Sequence, residues 1–545
     1  MSLEVITSPL KTSIFKPLIV FLAINIIIIA QESRDIYRNL SLNTSIDSER
    51  MLLLDRLMIE TGMMFPVYSR PITIKEWRNY IFEMLKKKSD LINPHTLRRL
   101  KQFIPDFEYK DLWHYELYGR GELETIISTA DTRFFITRYE ERQPSLRLNL
   151  EASRDTSIGL LIGVTTNNYW PVYEHTDNKT NLPENIWEDT DFRVFNKAYF
   201  SYQSPGGRIT FQFGRDNLKW GLGKNSTLFV SDNVAYFDFI KFVLWFDNAK
   251  FSMLYSTLTD YEPQFAGTKS YYDVSYLNKQ PKSMLLQRIE WSIFKQVNLG
   301  MSYMKIIYGR YPVLGDINPL IYQHNLFKEY QNSLTSFDIS ISPFAGFNLY
   351  GELSSDEVSF SDDPKKDNPN DPSAISYQFG FNAYMSGFYA NLEYVFVAPY
   401  MYNHKHFLGR AIEVDGVRYY KTSDRELKYT ALGHWIPPDS RAIFFSLDKS
   451  LSEYWVASLF AQLINHGSIN ILTEFPQKNY IHENSPTGIV EKTRVIGLKN
   501  VFQNDHFIIR NKILRFNIKN YKNVPNNFLN GWEIQLSFGY KFELF

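Results

Sequence analysis

Gly531-Trp532-Glu533-Ile534-Gln535-Leu536-Ser537-Phe538-Gly539-Tyr540-Lys541-Phe542-Glu543-Leu544-Phe545 is the stretch whose reading decides the fold. Trp532, Ile534, Leu536, Phe538, Tyr540, Phe542 and Leu544 recur at every second position, with Glu533, Gln535, Ser537, Lys541 and Glu543 between them. Successive side chains of a β-strand point to opposite faces, so a period of two gives the strand one oily face and one wet face. Upstream the pattern returns in Arg208-Ile209-Thr210-Phe211-Gln212-Phe213 and Lys250-Phe251-Ser252-Met253. It returns again where Leu146, Leu148 and Leu150 alternate with Arg147, Asn149 and Glu151, and where Leu514, Phe516 and Ile518 alternate with Arg515, Asn517 and Lys519.

Two architectures use such strands. In a soluble sandwich the oily faces meet as core; in a transmembrane barrel they face lipid while the polar faces line the lumen. The chain carries 42 Phe, 36 Tyr and 10 Trp in 545 residues, and its mean hydropathy is mildly negative, which suits amphipathic strands. Beyond residue 30, Asn, Lys, Arg and Glu interrupt every apolar run before it reaches the roughly 20 residues of a spanning helix. If this chain crosses a membrane, strands do the crossing.

The connections alternate short and long. Tight turns fall near Arg154-Asp155, Ser204-Pro205-Gly206, Asp247-Asn248, Phe294-Lys295, Phe344-Ala345, Ser386-Gly387, Ser450-Leu451 and Asn504-Asp505. Longer segments span roughly 165 to 191, 215 to 235, 260 to 281, 309 to 332, 354 to 375, 398 to 440, 464 to 491 and 521 to 531, with a brief one near Gln143. Eight turns and nine loops join about 18 strands, an even number that leaves both ends of the wall on one side. Residues 117 to 129 also read as extended but break this parity, and are placed outside the wall. The expected fold is an all-β membrane protein, an antiparallel transmembrane β-barrel of about 18 strands with a small N-terminal helical bundle.

From Ile46 to about Pro105 the period is helical. Thr73 and Glu76 have the spacing of a capping box, followed by Trp77, Tyr80, Ile81, Met84 and Leu85 on one face. Leu54, Leu57 and Met58 make an earlier stripe, and Leu97, Leu100 and Ile104 a later one after Pro94. At the N-terminus, Lys11 and Lys16 precede the apolar run Leu18 to Ile29, and Ala30 offers a small residue for cleavage before Gln31. The expected division is 1–30 signal peptide, 31–116 periplasmic helical bundle or plug, and 117–545 outer-membrane barrel with long extracellular loops.

Lysine plus arginine and aspartate plus glutamate each number 59, so no overall positive field invites a nucleic acid. The absence of cysteine excludes disulfides, thiolate metal sites and cysteine nucleophiles. No G-x-S-x-G elbow or H-E-x-x-H appears, and the ten histidines are scattered; no catalytic residue, metal site or cofactor is expected. Asp356, Glu357, Asp362, Asp363, Asp367 and Asp371 crowd one loop but lack calcium-loop spacing and are interrupted by Lys365 and Lys366. His404 and His406 share one side of an extended segment without a third ligand nearby.

Several segments carry a resemblance. Gly214-Arg215-Asp216-Asn217-Leu218-Lys219-Trp220-Gly221-Leu222-Gly223, followed by Ser231-Asp232-Asn233, resembles a motif of the Wzi family of capsule-assembly outer-membrane proteins. Asp55-Arg56-Leu57, Thr61-Gly62 and Ser69-Arg70-Pro71-Ile72 add to it, as do Asn318-Pro319, Leu349-Tyr350-Gly351-Glu352-Leu353, Pro399-Tyr400-Met401-Tyr402-Asn403-His404, Leu432-Gly433-His434 and Pro438-Asp439-Ser440. The resemblance implies an 18-stranded barrel in the cell outer membrane with a helical bundle on its periplasmic side, retaining surface or capsular polysaccharide in a lectin-like way. The terminal strand similarly resembles the signal by which outer-membrane proteins are recognised for insertion, although Phe545 falls out of phase with the apolar row. Barrel-assembly machinery and outer-membrane lipid are therefore expected partners.

The loop from Thr165 to Asp191 holds Asn167, Asn168, Tyr169, Trp170, Tyr173 and Trp187. Aromatic faces stack on sugar C–H faces and amides bond hydroxyls, so Tyr169, Trp170, Tyr173 and Trp187 are candidate saccharide contacts; an aromatic girdle or loop packing is the more ordinary reading of the same residues. Arg215, Trp220 and Asn225 lie in a glycine-containing loop whose backbone can fold inward, and are candidates for saccharide contact or for structural packing. A solute channel and a surface adhesin are the alternative functions for such a barrel.

Overall fold

The computed structural model describes residues 49–101, 103, 113–130, 135–138, 141–154, 157–168, 179–182, 190–191, 195–259, 280–318, 330–356, 372, 374–418, 425–476 and 484–544. The expected signal peptide at 1–30 lies outside them.

Eighteen antiparallel strands close into one barrel. In chain order they are β1 Trp113–Ser128, β2 Leu146–Arg154, β3 Ile158–Asn168, β4 Lys197–Gln203, β5 Ile209–Asp216, β6 Phe237–Phe246, β7 Ala249–Leu258, β8 Lys282–Ile293, β9 Val297–Tyr308, β10 Gln331–Phe344, β11 Phe347–Ser355, β12 Ile375–Met385, β13 Phe388–Val397, β14 Ser440–Ser450, β15 Trp455–His466, β16 Glu491–Gln503, β17 Phe507–Lys519 and β18 Phe528–Glu543. Each pairs with its neighbours in sequence, and β1 closes the ring on β18 in a register running from Tyr118 opposite Glu543 to Ser128 opposite Glu533.

The eight turns and nine loops fall where the sequence places them, with one correction. Residues 117 to 129 are not outside the wall; they form most of β1, which supplies the strand that the connection near Gln143 requires. The outward row of β1 is interrupted by Gly119 and Gly121, which hid its amphipathic pattern. Phe542 and Leu148 from the flanking strands lie over Gly119, 2.7 and 2.9 Å from where a Cβ would stand, so the apolar surface is continuous although the apolar sequence is not.

Outward rows form an oily belt. On β5, Phe213 is 57% exposed, with Ile209 and Phe211 beside it, while Thr210 and Gln212 are buried on the lumen side. Leu536 and Phe538 on β18, Ile509 and Ile513 on β17, and Ile496 and Leu498 on β16 continue it. Such a band is destabilising in water and matches acyl chains. The expected polarity reverses on the loop-end half of β17: Leu514, Phe516 and Ile518 are buried inside the ring against Phe460, Ile136 and Leu529, whereas Arg515, Asn517 and Lys519 are exposed outside. There the strand extends past the oily belt, and the loop after β1 covers its inner face.

Three helices precede the wall: α1 Glu49–Thr61, α2 Ile74–Lys88 and α3 Pro94–Lys101. Thr73 caps α2 by accepting from the Glu76 N–H at 3.1 Å. The carboxylate of Glu76, instead of returning to Thr73 as a full capping box would, faces Lys250 Nζ at 3.5 Å. Trp77, Tyr80, Ile81 and Met84 are buried with Leu54, Leu57 and Met58, and Leu222, Trp245 and Tyr350 belong to the same core. Burial of each large side chain of this face stabilises the packing by about 1.5–3 kcal/mol.

The helices meet the wall at its short-turn end. Met64 N donates to Lys295 O at 2.7 Å and Gly346 N to Ile59 O at 2.7 Å. Arg56 donates to Ser450 Oγ at 3.3 Å, and Gln503 Nε2 donates to Glu49 at 2.6 Å. These contacts belong to four different turns or strand ends, so the helical unit spans that mouth.

Candidate functional site

The segment 217–236 between β5 and β6 folds into the lumen rather than away from the rim. Lys219 and Trp220 pair with Arg70 and Ser69 from the chain between α1 and α2, and Gly221 N donates to Tyr68 O at 3.1 Å. Two carboxyl groups on the wall hold the segment from the other side. Glu352 of β11 accepts from Leu222 N at 3.3 Å, Leu228 N at 3.1 Å and Phe229 N at 3.0 Å. Glu393 of β13 accepts from Lys224 N at 2.8 Å and from Asn225 N and Nδ2 at 3.4 and 3.0 Å. Main-chain donors that would otherwise be orphaned inside the ring are thereby satisfied.

Two glycines make this approach possible. Gly221 has φ +133°, and a Cβ there would stand 2.7 Å from Glu352 Oε2; a Cβ at Gly223 would stand 1.7 Å from Ser226 O and 2.3 Å from Gln378 Nε2. The Trp-Gly-Leu-Gly spacing is thus a steric requirement of lying against Glu352 at Gly221 and against Ser226 and Gln378 at Gly223.

From the loop end, the segment between β13 and β14 descends onto the same place. Tyr402 OH donates to Leu228 O at 2.8 Å and accepts from His434 N at 3.0 Å, Ser231 N donates to Leu432 O at 2.7 Å, and Asn233 Nδ2 donates to Gly433 O. Leu218, Trp220, Leu228, Phe229, Met401 and Tyr402 are all fully buried in one apolar cluster. Burial, with the nearby Arg138 and Lys219 charges, holds the His434 ring down at about 3, so it is neutral at physiological pH. His404 is likewise lowered by burial, to about 4; its Nδ1 accepts from His406 N at 3.0 Å, and both rings pack against Tyr308.

The loop after β1 also turns inward. Its Glu141 meets Lys512 at 2.7 Å and Arg138 at 3.1 Å; burial pushes this carboxyl up, but Lys512 and Arg138 outweigh it and hold it at about 2. Arg142 pairs with Glu124 at 2.6 Å, and Glu533 accepts from Ile136 N at 2.6 Å and Thr137 N at 3.0 Å.

The sequence candidates part company here. Arg215 lies on the outer side of β5 at the rim, bidentate to Asp238 at 2.6 and 2.7 Å and 3.9 Å from the centre of the Tyr236 ring. Trp220 is 0% exposed and presents no surface to a ligand. Asn225 and its neighbour Lys224 are exposed at the tip of the inward segment. Tyr169, Trp170, Tyr173 and Trp187 lie outside the described residues. Sequence reasoning missed Glu393 and Lys224: an inward glutamate in an alternating strand looks like any lumen residue, and only the fold brings it to the loop. Glu352 stands inside one of the resembling segments, which offered a signal. Indeed Arg70, Trp220, Glu352, Tyr402 and His434, from five such segments, meet at this one constriction, and Asp55, from a sixth, is paired to Arg70.

A closed ring of 18 strands with an oily exterior, a polar wall inside and its own segments filling the lumen defines an outer-membrane β-barrel fold. No protein-family model and no curated protein sequence matches the chain. Among solved structures it is similar to Wzi of Escherichia coli, described as an outer membrane protein involved in group 1 capsule assembly and a carbohydrate-binding β-barrel, with 14% identity, a TM-score of 0.55, and coverage of 92% of this chain and 99% of that one. Weaker likenesses are to OprD of Pseudomonas aeruginosa, at 8% identity and TM-score 0.40 over 80% of this chain and 98% of that one, and to the outer membrane channel DcaP of Acinetobacter baumannii, at 8% and 0.35 over 81% and 100%.

Proposed function

We propose that this chain is a cell-surface barrel of the outer membrane that retains or helps to assemble surface polysaccharide, acting by binding and without a catalytic step. The observation that carries the reading is the lumen packing around Glu352 and Glu393: a wall devoted to an open solute path has no use for an apolar plug that its own carboxyl groups hold in place. The ring-wide fold likeness to Wzi, whose carbohydrate binding is that protein's property, supports the same reading, as do the motif segments that converge on the constriction. The helical mouth then faces the periplasm and the long loops face the exterior. Deleting the gene and measuring cell-associated and released glycan tests it: release with normal synthesis is the expected result, and unchanged retention overturns it.

A channel for small solutes is the second reading. It is favoured by one observation, the exposed inward side chains Lys224 and Lys499, which mark a part of the lumen that remains wet.

A further inference from the structure

The lumen is filled unevenly. Inward residues of β7 to β13 such as Ser252, Glu290, Ser336, Glu352, Gln378 and Glu393 are buried beneath the helices and the 217–236 segment. On β16 the inward Lys499 stays exposed. Its direction follows from alternation, because Ile496 and Leu498 are exposed in the oily belt and Val495 is buried inside.

Among the described residues Lys499 makes no ion pair. Directly across the strand pair stands Lys512, a like-charge opposition that destabilises a sheet unless something offsets it. Of the two carboxylates that act on it, Glu141 is bonded to Lys512 at 2.7 Å. The remaining one is Asp448 of β14, two strands away on the same level, since Asp448 faces Ser458 and Ser458 faces Lys499. Asp448 also lies 4.0 Å from the exposed Lys224 ammonium. Lys224 is held in place by its own main chain, whose N–H is fixed on buried Glu393 at 2.8 Å. Lys499, Lys224 and Lys512 thus share two carboxylates, Asp448 and Glu141, which leaves this wet pocket with surplus positive charge, in surroundings where screening is weaker than in bulk water.

We propose that the lumen surface around Lys499 and Lys224 is an anion-binding site that takes a carboxylate or sulfate group, either as a free small anion or as the acidic substituent of a glycan. The site stands whether or not the barrel retains a polysaccharide, because it rests on the charge balance of the wall and of the tip of the 217–236 segment.

The test is calorimetric titration of the full chain in detergent with sodium sulfate, with trigalacturonate and with neutral maltotriose, on the native protein and on Lys499→Gln, Lys499→Glu and Lys224→Gln, each first shown to migrate as a folded barrel before heating. Saturable binding of sulfate alone identifies a small-anion site; saturable binding of trigalacturonate as well identifies a glycan-acid site. Either supports the proposal if Lys499→Gln weakens it by about ten- to a hundredfold, the worth of one charge-assisted hydrogen bond, and Lys499→Glu abolishes it, while Lys519→Gln on the outer rim leaves it unchanged. No saturable anion binding, maltotriose bound as tightly as trigalacturonate, or affinity indifferent to Lys499 overturns it. Cell-associated glycan is not the readout, so failure here is separable from failure of the retention reading.

Discussion

Replacing both Glu352 and Glu393 by Ala should open the barrel. Glu352 satisfies three buried main-chain donors, on Leu222, Leu228 and Phe229, and Glu393 satisfies those of Lys224 and Asn225. A buried donor left unmatched costs about 1–3 kcal/mol, so the three donors on Glu352 alone make the docked state worse by roughly 3–9 kcal/mol. That is comparable with the burial of the apolar side chains Leu218, Trp220, Leu228 and Phe229, at about 1.5–3 kcal/mol each, so the docked and released states come into balance and the tip of the loop spends a large share of its time in water. The wall itself is kept by strand pairing and lipid, neither of which uses these carboxyl groups. Single-molecule conductance in planar bilayers reads the outcome: the native barrel should carry little current and the double variant a stable, several-fold larger one, with heat-modifiable migration proving that the ring is intact. A folded double variant whose conductance equals that of the native protein would refute the claim that these two groups keep the lumen closed.

Trp220→Ala should lower unfolding stability by about 3–5 kcal/mol through the cavity left in the apolar cluster, whereas Trp220→Phe should cost less, because the indole N–H is buried without an acceptor among the described residues; denaturant titration compares them. Gly223→Ala places a Cβ on Ser226 O and should raise conductance much as the double carboxyl variant does. Glu141 is held at about 2 against an ordinary value of 4.5, so its contribution to docking the loop after β1 is complete above about pH 4.5 and fades as pH falls towards 2. His434, held at about 3 against 6.5, contributes in full above 6.5 and is lost in the same acid direction; the fluorescence of Trp435, 4.4 Å from Arg138, should therefore stay steady from pH 8 to about 6.5 and shift progressively below it, more steeply once pH falls under about 4.5. Leu536→Arg in the oily belt should disfavour insertion by about 2–4 kcal/mol, seen as a lower folded fraction in liposomes, while Lys519→Leu at the rim should not.

The ring was legible because its signal is local. Alternation along β5 or β18 needs no knowledge of neighbours, and turns at Ser386-Gly387 or Asp247-Asn248 announce themselves in two residues. What failed was non-local. Gly119 and Gly121 made β1 look unlike a wall strand because Phe542 and Leu148, distant in sequence, supply the missing surface. The Leu514, Phe516 and Ile518 row promised a lipid face and is instead covered from within by the loop after β1; alternation tells that a strand has two faces but not which is inside. Similarly, the aromatic in the Trp-Gly-Leu-Gly loop drew attention as a contact, but its burial depends on Glu352 and Tyr402, which arrive from more than a hundred residues away. The tip residue Asn225 was legible as a candidate, and its exposed neighbour Lys224 was not.

The pairing of β1 with β18 fixes an order of assembly. Those two strands become neighbours only when every intervening hairpin has been laid down, so their seam bears the largest loop-closure cost and is the last to zip. The 217–236 segment, a loop between β5 and β6, can still enter or leave through the loop end after the cylinder is finished. Closure of the seam therefore completes the wall, and docking of the lumen segment is a separate event that the carboxyl groups of Glu352 and Glu393 control from inside.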